Sequence, residues 1–441
     1  MITSQSRQLY ERARLSIPGG VHSSSRFRRP HPLYFSRAEG AYIWDVDGNR
    51  YLDCNMGNGA LILGHKHPAV VAAINAALER GLQAGYETEL SVRVAEKFLK
   101  VVRTAERVRF TNTGTEAALH ALQIARALTG KDDVAKVEGC YDGWADPLFV
   151  SVWHDPAAGG PARAPRSIPG TRGLARSQVE RTLVIPFNDL EGARRLLEAN
   201  SDRLAALILE PVLIDVGFVP ADRDYLLGLR ALTQELGIVF IMDEVLTGFR
   251  LAVGGAQEHY GVVPDLSIFG KAIANGHIMA VVAGTARALS VCEPGAEQVA
   301  FVGTFNGHQL SLAAADAVLD LLADGTVVAT LEERTRRLAR TCRELAAKYG
   351  VDVQFQGGGG HFQWYFNPRP VRNYREAWAS DPHAYAVFRE AMVEAGVVVA
   401  GNYLGHNAIS LAHGEEQLEF LERAMAAAFA AVARSGSPCS R

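Results

Sequence analysis

The sequence predicts an α/β protein in which a mostly parallel β-sheet is wrapped by helices, accompanied by a smaller α+β domain. Three observations indicate this class. Short apolar runs alternate with helical patterns through the middle of the chain, as in βαβ units. Hydrophobic residues make up 48% and charged residues 21%, as in an ordinary globular protein. The 441 residues are enough for two domain-sized cores.

Seven apolar runs predict the strands of the main sheet. They are Arg107–Thr111, Val134–Val137, Thr182–Ile185, Leu204–Leu209, Ile238–Met242, Leu266–Phe269 and Ala280–Ala283. Helical stretches such as Glu116–Leu128 and Arg223–Leu236 lie between them, with apolar residues at three- and four-residue spacing. We therefore expect a large domain over residues 61–310.

The two ends of the chain predict the smaller domain. Strand patterns at Ala41–Trp44 and Arg50–Leu52 flank a DVDG turn, and a long helical pattern at Gln309–Ala323 precedes a second α+β portion. Residues 1–60 and 311–441 should therefore form the two parts of one small domain. The last nine residues are predicted to be a frayed tail.

Composition and charge argue against several classes of protein. A net charge of −3 gives no reason to expect a nucleic-acid partner or an anionic membrane surface. No apolar run reaches the ~18 residues of a membrane-spanning helix, and the polar N-terminus does not resemble a signal peptide. Five scattered cysteines without a CxxC pattern indicate reduced thiols in a cytoplasmic protein. The pair His65 and His67 has no third ligand nearby, so no metal is expected.

A phosphate site is predicted where the strand RVRFT runs into the following helix. Thr113, Gly114 and Thr115 stand at the start of that helix. A helix N-terminus presents free N–H groups and the positive end of the helix dipole, which together bind phosphate. A second small, hydroxyl-bearing turn, Gly303-Thr304, precedes a later helix. The alternative for Thr113 is an ordinary helix cap, because threonine is common at that position.

Two charged residues follow predicted strands where open α/β sheets bind ligands, at the carboxyl ends. Asp243 comes directly after one strand, and Lys271 follows the strand DLSIFG. Lysine accounts for only 7 of the 45 basic residues, and Lys271 is the one lysine between Lys136 and Lys348. Burial lowers the pKa of an amine and makes it a nucleophile toward carbonyls. For Asp243 the alternative is a cap of the next helix.

A helix N-terminus, a strand-end aspartate and a strand-end lysine are together what pyridoxal 5'-phosphate requires. The lysine holds the cofactor aldehyde as a Schiff base, and the aspartate keeps the pyridine nitrogen protonated. The helix N-terminus anchors the phosphate. The residues therefore predict a pyridoxal-phosphate enzyme.

Nine motifs spread along nearly the whole chain support this prediction. They are IPGG at 17–20, DVDGNRYLD at 45–53, LGHKHP at 63–68, FTNTGTEAA at 110–118, EPV at 210–212, DEVLTGFR at 243–250, GKAIANG at 270–276, GTFNGH at 303–308 and SLAHGEE at 410–416. On these motifs the sequence resembles the class III (subgroup II) aminotransferases, which are pyridoxal-phosphate enzymes of fold type I. It is most similar to the branch that contains glutamate-1-semialdehyde 2,1-aminomutase.

The resemblance implies a role for four residues around the cofactor ring. Lys271 would be the Schiff-base lysine and the base that moves a proton between substrate Cα and the cofactor. Asp243 would pair with the pyridine nitrogen. Val245 would pack on one face of the ring, and Tyr141, in GCYDGW, would stack on the other.

The resemblance also implies how the phosphate is held and how the protein assembles. Gly114 and Thr115, which follow Thr113, would bind the phosphate. Thr304 would contribute from the neighbouring subunit, which implies a homodimer with shared active sites.

On the substrate side the sequence departs from the aminomutase branch. Arg26, in GGVHSSSR, falls where that branch places an arginine that clamps the substrate carboxylate. Alternatively, Arg26 belongs to a basic surface loop with Arg28 and Arg29. Asn58 stands where an aromatic residue is expected. Asp215 replaces an asparagine that would bond the phenolic oxygen of the cofactor, so it either points elsewhere or changes the electronics of the cofactor.

Two further departures concern chain segments near the cofactor. YDG at 141–143 replaces YHG. The loop 151–180, at the position of the mutase's mobile lid, is longer and richer in proline and arginine.

Our main hypothesis is a pyridoxal-phosphate-dependent aminotransferase with a ping-pong mechanism through a Lys271 Schiff base. Its partners would be a small-molecule amino donor and a carbonyl acceptor. The alternative is an intramolecular aminomutase of the glutamate-1-semialdehyde type. A third hypothesis, a catalytically inactive homologue with a binding role, is disfavoured by the intact pair of Lys271 and Asp243.

Overall fold

The computed structural model of this protein describes residues 3–83 and 85–436. Its strands are β1 (Phe35–Glu39), β2 (Tyr42–Asp45), β3 (Arg50–Asp53), β4 (Arg107–Thr111), β5 (Asp133–Val137), β6 (Thr182–Ile185), β7 (Leu204–Leu209), β8 (Val212–Leu213), β9 (Val219–Pro220), β10 (Val239–Glu244), β11 (Leu266–Phe269), β12 (Ala280–Gly284), β13 (Gln354–Gly358), β14 (His361–Tyr365), β15 (Val397–Val398) and β16 (Asn407–Ala408).

The α-helices are α1 (Ser4–Ala13), α2 (Pro68–Leu78), α3 (Glu89–Val101), α4 (Gly114–Thr129), α5 (Arg176–Glu180), α6 (Leu190–Glu198), α7 (Arg223–Leu236), α8 (Ala256–Tyr260), α9 (Ala286–Ser290), α10 (Gln309–Leu322), α11 (Thr326–Tyr349), α12 (Tyr374–Trp378), α13 (Pro382–Glu394) and α14 (Glu415–Arg434). Short 3-10 helices are Pro18–Gly20, Ser24–Arg26 and Lys271–Ala274.

The chain divides into two compact units. Unit 1 comprises Met1–His67, Glu333–Pro370 and Ser380–Arg441, and unit 2 comprises Pro68–Glu332 and Val371–Ala379. The domain boundaries expected from the sequence, after residues 60 and 310, stay predictions. Of the predicted tail, residues 433 and 434 belong to α14, whereas residues 437–441, with Cys439, lie outside the described part.

Unit 2 is built on a seven-stranded sheet with the order β4-β12-β11-β10-β7-β5-β6. These are the seven strands predicted from the apolar runs, with ends that differ by at most two residues. Strand β12 is antiparallel to both of its neighbours, and the pairs among β11, β10, β7, β5 and β6 are parallel. The α/β class with a mostly parallel sheet is therefore confirmed.

The centre of this sheet is buried on both faces. Every residue of β7 and β10 is buried, which explains why the sequence shows continuous apolar runs there. In register, Asp243 of β10 lies opposite Ile268 of β11, and Met242 lies opposite Leu209 of β7. The carboxyl ends of these three strands are thus level with one another.

Helix α4 covers one face of the sheet and carries the predicted phosphate site at its N-terminus. Its alanine- and leucine-rich face packs in a core cluster with residues of β5, β7, β10, β11 and β12. Helix α4 ends at Gly130, whose φ of +67° provides the left-handed cap that glycine adopts without strain.

Unit 1 contains a four-stranded sheet, β1-β2-β3-β15, and a three-stranded sheet, β13-β14-β16. The predicted strands near residues 41–44 and 50–52 are β2 and β3. Gly59 packs against the buried ring of His361, where a Cβ would lie 2.2 Å from Cε1, so this position requires glycine. Within residues 3–83 and 85–436, no helix is long and apolar enough to cross a membrane.

Candidate active site

Three charged residues of unit 2 lie at the carboxyl ends of adjacent strands. Glu210 directly follows β7, Asp243 is the penultimate residue of β10, and Lys271 comes two residues after β11. Strand β10 pairs in parallel with both β7 and β11. The topology therefore brings the predicted Asp243 and Lys271 to the same edge of the sheet, where ligands bind in open α/β folds.

The Asp243 carboxylate is buried and only partly satisfied. The Val245 amide donates to Oδ1 at 2.9 Å, and Oδ2 has no hydrogen-bond partner among the residues that the structure describes. Burial raises the pKa of Asp243 well above its ordinary value, and the Asp142 and Asp215 carboxylates act in the same direction. The Lys271 amine opposes this shift. A cationic group placed at Oδ2 would therefore be strongly stabilised.

Lys271 is half-buried and begins a short 3-10 helix with a φ of +46°. A non-glycine residue rarely adopts this left-handed conformation, and strained positions of this kind cluster at functional sites. Its Nζ forms no hydrogen bond or ion pair with any described part of the chain. The amine is thus free to react with or bind a ligand.

Val245 lies between the start of α4 and the turn that precedes Lys271. A Cβ on Gly114 would lie 3.0 Å from Val245 Cγ2, and one on Gly270 would lie 3.3 Å from Val245 Cγ1. Both contacts are tighter than ordinary van der Waals contact, so a side chain at either glycine would require Val245 to move. The structure therefore places Val245 beside Gly114. This is expected if the two residues border a flat slot that would hold the cofactor ring.

The N-terminus of α4 combines a cap with free amides. The Thr113 hydroxyl accepts a hydrogen bond from the Glu116 amide at 3.2 Å, which is the capping role considered as the alternative. The amides of Gly114 and Thr115 have no carbonyl partner within the helix, because the first amides of any helix lack one. The Thr115 hydroxyl accepts from the Trp144 amide at 3.4 Å. Anion binding at this end thus depends on the backbone amides rather than on the Thr113 hydroxyl.

Tyr141 is half-buried and fixed on several sides. Its ring stacks on Trp153 with the ring centres 5.4 Å apart, and it meets the edge of Phe149 at 6.0 Å. Its amide donates to Glu210 Oε1 at 3.0 Å. Burial raises the pKa of Tyr141 to about 12, and nearby carboxylates, Asp215 first among them, add to the shift.

A buried polar network that was not predicted from the sequence holds the backbone of Tyr141. Glu210 Oε2 accepts from the Ile214 amide at 3.1 Å, and the Glu210 amide donates to Cys140 Sγ at 3.0 Å. Cys140 Sγ donates to Asp142 Oδ1 at 3.0 Å. Burial raises the pKa of Glu210 well above its ordinary value, and the carboxylates of Asp215, Asp243 and Asp142 add to it. The position of Glu210 directly after a buried strand is the signal that could have identified it.

Asp215 lies among these acids without a hydrogen-bond partner for its carboxylate in the described chain. Its backbone carbonyl accepts from Trp153 Nε1 at 3.0 Å. The sequence predicts either that Asp215 points elsewhere or that it changes the electronics of the cofactor. The Asp215 carboxylate contributes to the raised pKa values of Glu210 and Asp243, so it lies near the strand-end cluster.

Thr304 lies in an exposed turn and forms no hydrogen bond with the other predicted cofactor residues in the described chain. Its neighbours Val302 and Phe305 are 78% and 60% exposed. Two residues after Thr304, the Asn306 side chain accepts a hydrogen bond from Asn112 Nδ2 at 3.3 Å, so this turn lies near the start of α4.

The predicted substrate residues Arg26 and Asn58 belong to unit 1, where they line a single pocket of about 580 Å³. Arg28 and His65 also line it. Burial and the nearby Arg389 guanidinium lower the pKa of Arg28. The pocket therefore presents two guanidinium groups and one carboxylate, that of Asp53, which is hydrogen-bonded to His65 at 2.8 Å. The excess of positive charge suits an anionic ligand. Asp215, in unit 2, is not among its lining residues.

Comparisons with known proteins agree with this geometry. The profile of the family Aminotransferase class-III matches residues 23–414. Glutamate-1-semialdehyde 2,1-aminomutase from Syntrophobacter fumaroxidans is 40% identical over 435 residues, covering 98% of this chain and 99% of that protein. The crystal structure of an omega-transaminase from Sphaerobacter thermophilus is 33% identical, has a TM-score of 0.92 and covers 97% of each chain. A transaminase with PLP bound is 31% identical, has a TM-score of 0.89 and covers 98% of each chain.

Proposed function

This chain belongs to the class III aminotransferase family, and we propose that it moves an amino group within or between small carboxylate-bearing molecules. The family predicted from the sequence motifs is thereby confirmed. The protein is a pyridoxal-phosphate-dependent enzyme of the aminotransferase or aminomutase type.

The residues of unit 2 fit pyridoxal phosphate. The unpaired Oδ2 of buried Asp243 suits a protonated pyridine nitrogen, and the free amides at Gly114 and Thr115 suit a phosphate. The unpaired amine of Lys271 suits an aldehyde. When bound, pyridoxal phosphate withdraws electrons from the substrate carbon that bears the amino group.

We assign the remaining steps to side chains of this chain. Lys271 holds the cofactor, and once released it carries the proton between the substrate carbon and the cofactor carbon. Asp243 keeps the positive charge of the ring nitrogen in place. Val245 and Tyr141 bound the two faces of the slot and keep water away from it.

The first candidate reaction is the intramolecular one, of the glutamate-1-semialdehyde 2,1-aminomutase type. The observation that carries it is the 40% identity to an aminomutase over 98% of this chain. The pocket with Arg26 and Arg28 also suits a substrate carboxylate. A mutase must retain its diamino intermediate between two half-reactions.

The second candidate is intermolecular transamination by a ping-pong mechanism, which a specific feature of unit 2 favours. The loop at the position of the mutase's mobile lid is tied down here: Val150 bridges Pro169, and Arg375 donates to the carbonyls of Gly159 and Gly160. An enzyme that releases a product between half-reactions gains nothing from a lid that closes over an intermediate. The similarity of this chain to the crystal structure of an omega-transaminase also supports this candidate.

One experiment separates the candidates. Purified enzyme reconstituted with pyridoxamine phosphate is incubated with glutamate-1-semialdehyde and no other amino compound. Many turnovers to 5-aminolevulinate per active site support the mutase. Consumption of at most one equivalent of the aldehyde per active site supports the transaminase. Consumption of the aldehyde should then resume when an amino donor such as glutamate or alanine is added. The Lys271→Ala variant is the control for non-enzymatic conversion.

We further propose a homodimer in which Thr304 completes the phosphate site of the partner. The exposed apolar side chains Val302 and Phe305 beside Thr304 support this, because a monomer rarely exposes such a group without a partner. Sedimentation should give twice the chain mass. An active monomer would exclude a shared site.

A further inference from the structure

Trp153 occupies a strained position beside Tyr141. The φ angles of Trp153 and Ser151 are +50° and +53°, both in the left-handed region that non-glycine residues rarely adopt. The indole stacks on Tyr141 with 13° between the ring planes, and Nε1 is bonded to the Asp215 carbonyl. Even so, 43% of Trp153 stays exposed. A strained backbone conformation therefore holds a large, partly exposed aromatic side chain at the edge of the candidate active site.

The segment before Trp153 is held by hydrogen bonds at Ser151. The Gly139 amide donates to the Ser151 carbonyl at 2.9 Å, and the Ser151 amide donates to the Ile168 carbonyl at 2.6 Å. The Ser151 hydroxyl donates to the Arg166 carbonyl at 2.9 Å. These bonds join the start of the loop to residue 139, just after β5, and to residues 166–168 later in the same loop.

The segment after Trp153 is held by residues 371–379, which we call the strap. The strap belongs to unit 2, although the chain on both sides of it belongs to unit 1. The Tyr374 hydroxyl donates to the His154 carbonyl, and the two rings stack with their centres 5.2 Å apart. Two residues earlier in the strap, the Asn188 side chain donates to the Arg372 carbonyl at 2.9 Å.

Arg375 is the central residue of the strap. Its guanidinium donates to both carboxylate oxygens of buried Glu138 at 2.9 Å and to the Gly160 carbonyl at 2.8 Å. Glu138 follows β5 and lies three residues before Tyr141. Charge-assisted, two-pronged bonds of this kind fix geometry as well as adding energy. Arg375 thus ties the loop that carries Trp153 to the strand end that carries Tyr141.

We propose that Trp153 forms a wall of the substrate site and that Arg375 is the positioning residue that holds it there. The two stacked rings are offset, since their centres are 5.4 Å apart. The part of the indole that extends beyond the Tyr141 ring would pack against the apolar carbon skeleton of an amino or keto acid. This inference rests on the proposed function, in which Tyr141 bounds the cofactor slot. It adds a specificity-determining residue that lies outside the motifs of the family resemblance.

The test is a double-variant cycle of Trp153→Ala and Arg375→Gln on the holoenzyme, with the substrate turned over in the experiment above. Trp153→Ala should raise KM about tenfold with a smaller effect on kcat, as expected for loss of an apolar contact. Arg375→Gln should raise KM in the same direction. In the Trp153→Ala background it should change KM by less than about twofold, because coupled residues are not additive. An unchanged KM in Trp153→Ala, or full additivity, overturns the proposal.

A second measurement needs no substrate and separates this proposal from the proposed function. Acrylamide quenching of tryptophan fluorescence, taken as wild type minus Trp153→Ala, reports the accessibility of Trp153. Arg375→Gln, or Arg375→Lys if the former does not fold, should increase that quenching, and unchanged quenching overturns the positioning role. A wild-type enzyme that turns over no amino compound contradicts the proposed function, and the quenching result still decides the role of Arg375.

Discussion

Lys136 Nζ lies 3.7 Å from Asp142 Oδ2, and both side chains are buried. Lys136 also donates to the carbonyls of Cys140 and Val150. Among the described residues, no other cation pairs with Asp142. Removal of the Lys136 amine would therefore leave a buried, uncompensated carboxylate beside the candidate active site.

We therefore expect Lys136→Met to lower the free energy of unfolding by about 3–5 kcal/mol, the usual consequence of breaking a buried ion pair. Urea unfolding at pH 8, where the carboxylate is most costly to bury alone, measures this. The Lys136→Met/Asp142→Asn double variant should recover part of the loss. A loss below about 1 kcal/mol in the single variant would show that the pair is not important for folding.

Lys271→Arg should abolish turnover without unfolding the protein. A guanidinium keeps the positive charge but does not react with an aldehyde. Borohydride reduction of the wild-type holoenzyme, followed by peptide mass spectrometry, should find the cofactor on the peptide that contains Lys271. The same treatment of the variant should leave that peptide unmodified. Turnover above about one thousandth of the wild-type rate would remove Lys271 from its proposed role.

Gly114→Ala should weaken cofactor binding about tenfold, because the new methyl group would lie 3.0 Å from Val245 Cγ2 in a packed slot. Titration of apoenzyme with pyridoxal phosphate, followed by absorbance, gives the affinity. The matched control is the same change in a Val245→Ala background, where the space is open and the loss should nearly disappear. Equal losses in both backgrounds would contradict a steric origin.

Much of the sheet could be predicted from the sequence because its central strands are buried on both faces. Strands such as β7 and β10 therefore read as unbroken apolar runs, and a charged residue at the end of such a run, as at Asp243 or Lys271, stands out. Glu210 carries the same signal, because it directly follows the fully buried strand β7.

The loop network could not be predicted in the same way. Arg375 and Glu138 are 237 residues apart, and no local pattern indicates that the strap returns to unit 2. The stacking of Trp153 on Tyr141 depends on two positive φ angles at non-glycine residues. Such conformations are set by tertiary contacts rather than by local preference.

Arg26→Met should impair only substrates that carry a carboxylate. Loss of a charge-assisted, two-pronged bond should raise KM for an amino acid donor at least ~tenfold. An amine without a carboxylate, such as 1-phenylethylamine, should react at an unchanged rate in the half-reaction followed by cofactor absorbance. Arg29→Met is the control, since Arg29 is exposed like Arg26 but is not among the lining residues of the pocket. If both variants behave alike, Arg26 belongs to a basic surface loop.

Stability should fall on mild acidification because of His413, which is buried in unit 1. Its Nδ1 accepts a hydrogen bond from the Ser410 amide at 3.1 Å, and burial lowers the pKa of His413 from 6.5 to about 4. Asp53 acts against this shift, whereas Arg334 and His65 act with burial. Between these two pKa values the unfolded chain binds a proton that the folded chain does not, so stability is lost as the pH falls through that window.

The size of the effect follows from the same pKa values. Protonation of His413 alone should cost about 2 kcal/mol of unfolding free energy between pH 7.5 and pH 5. Urea unfolding across that range measures it in the wild type and in His413→Gln, whose side chain does not titrate. Ordinary carboxylates titrate in both proteins, so the difference between the two slopes isolates the imidazole. Parallel curves would mean that His413 has the same pKa in the folded and the unfolded chain, which contradicts the prediction.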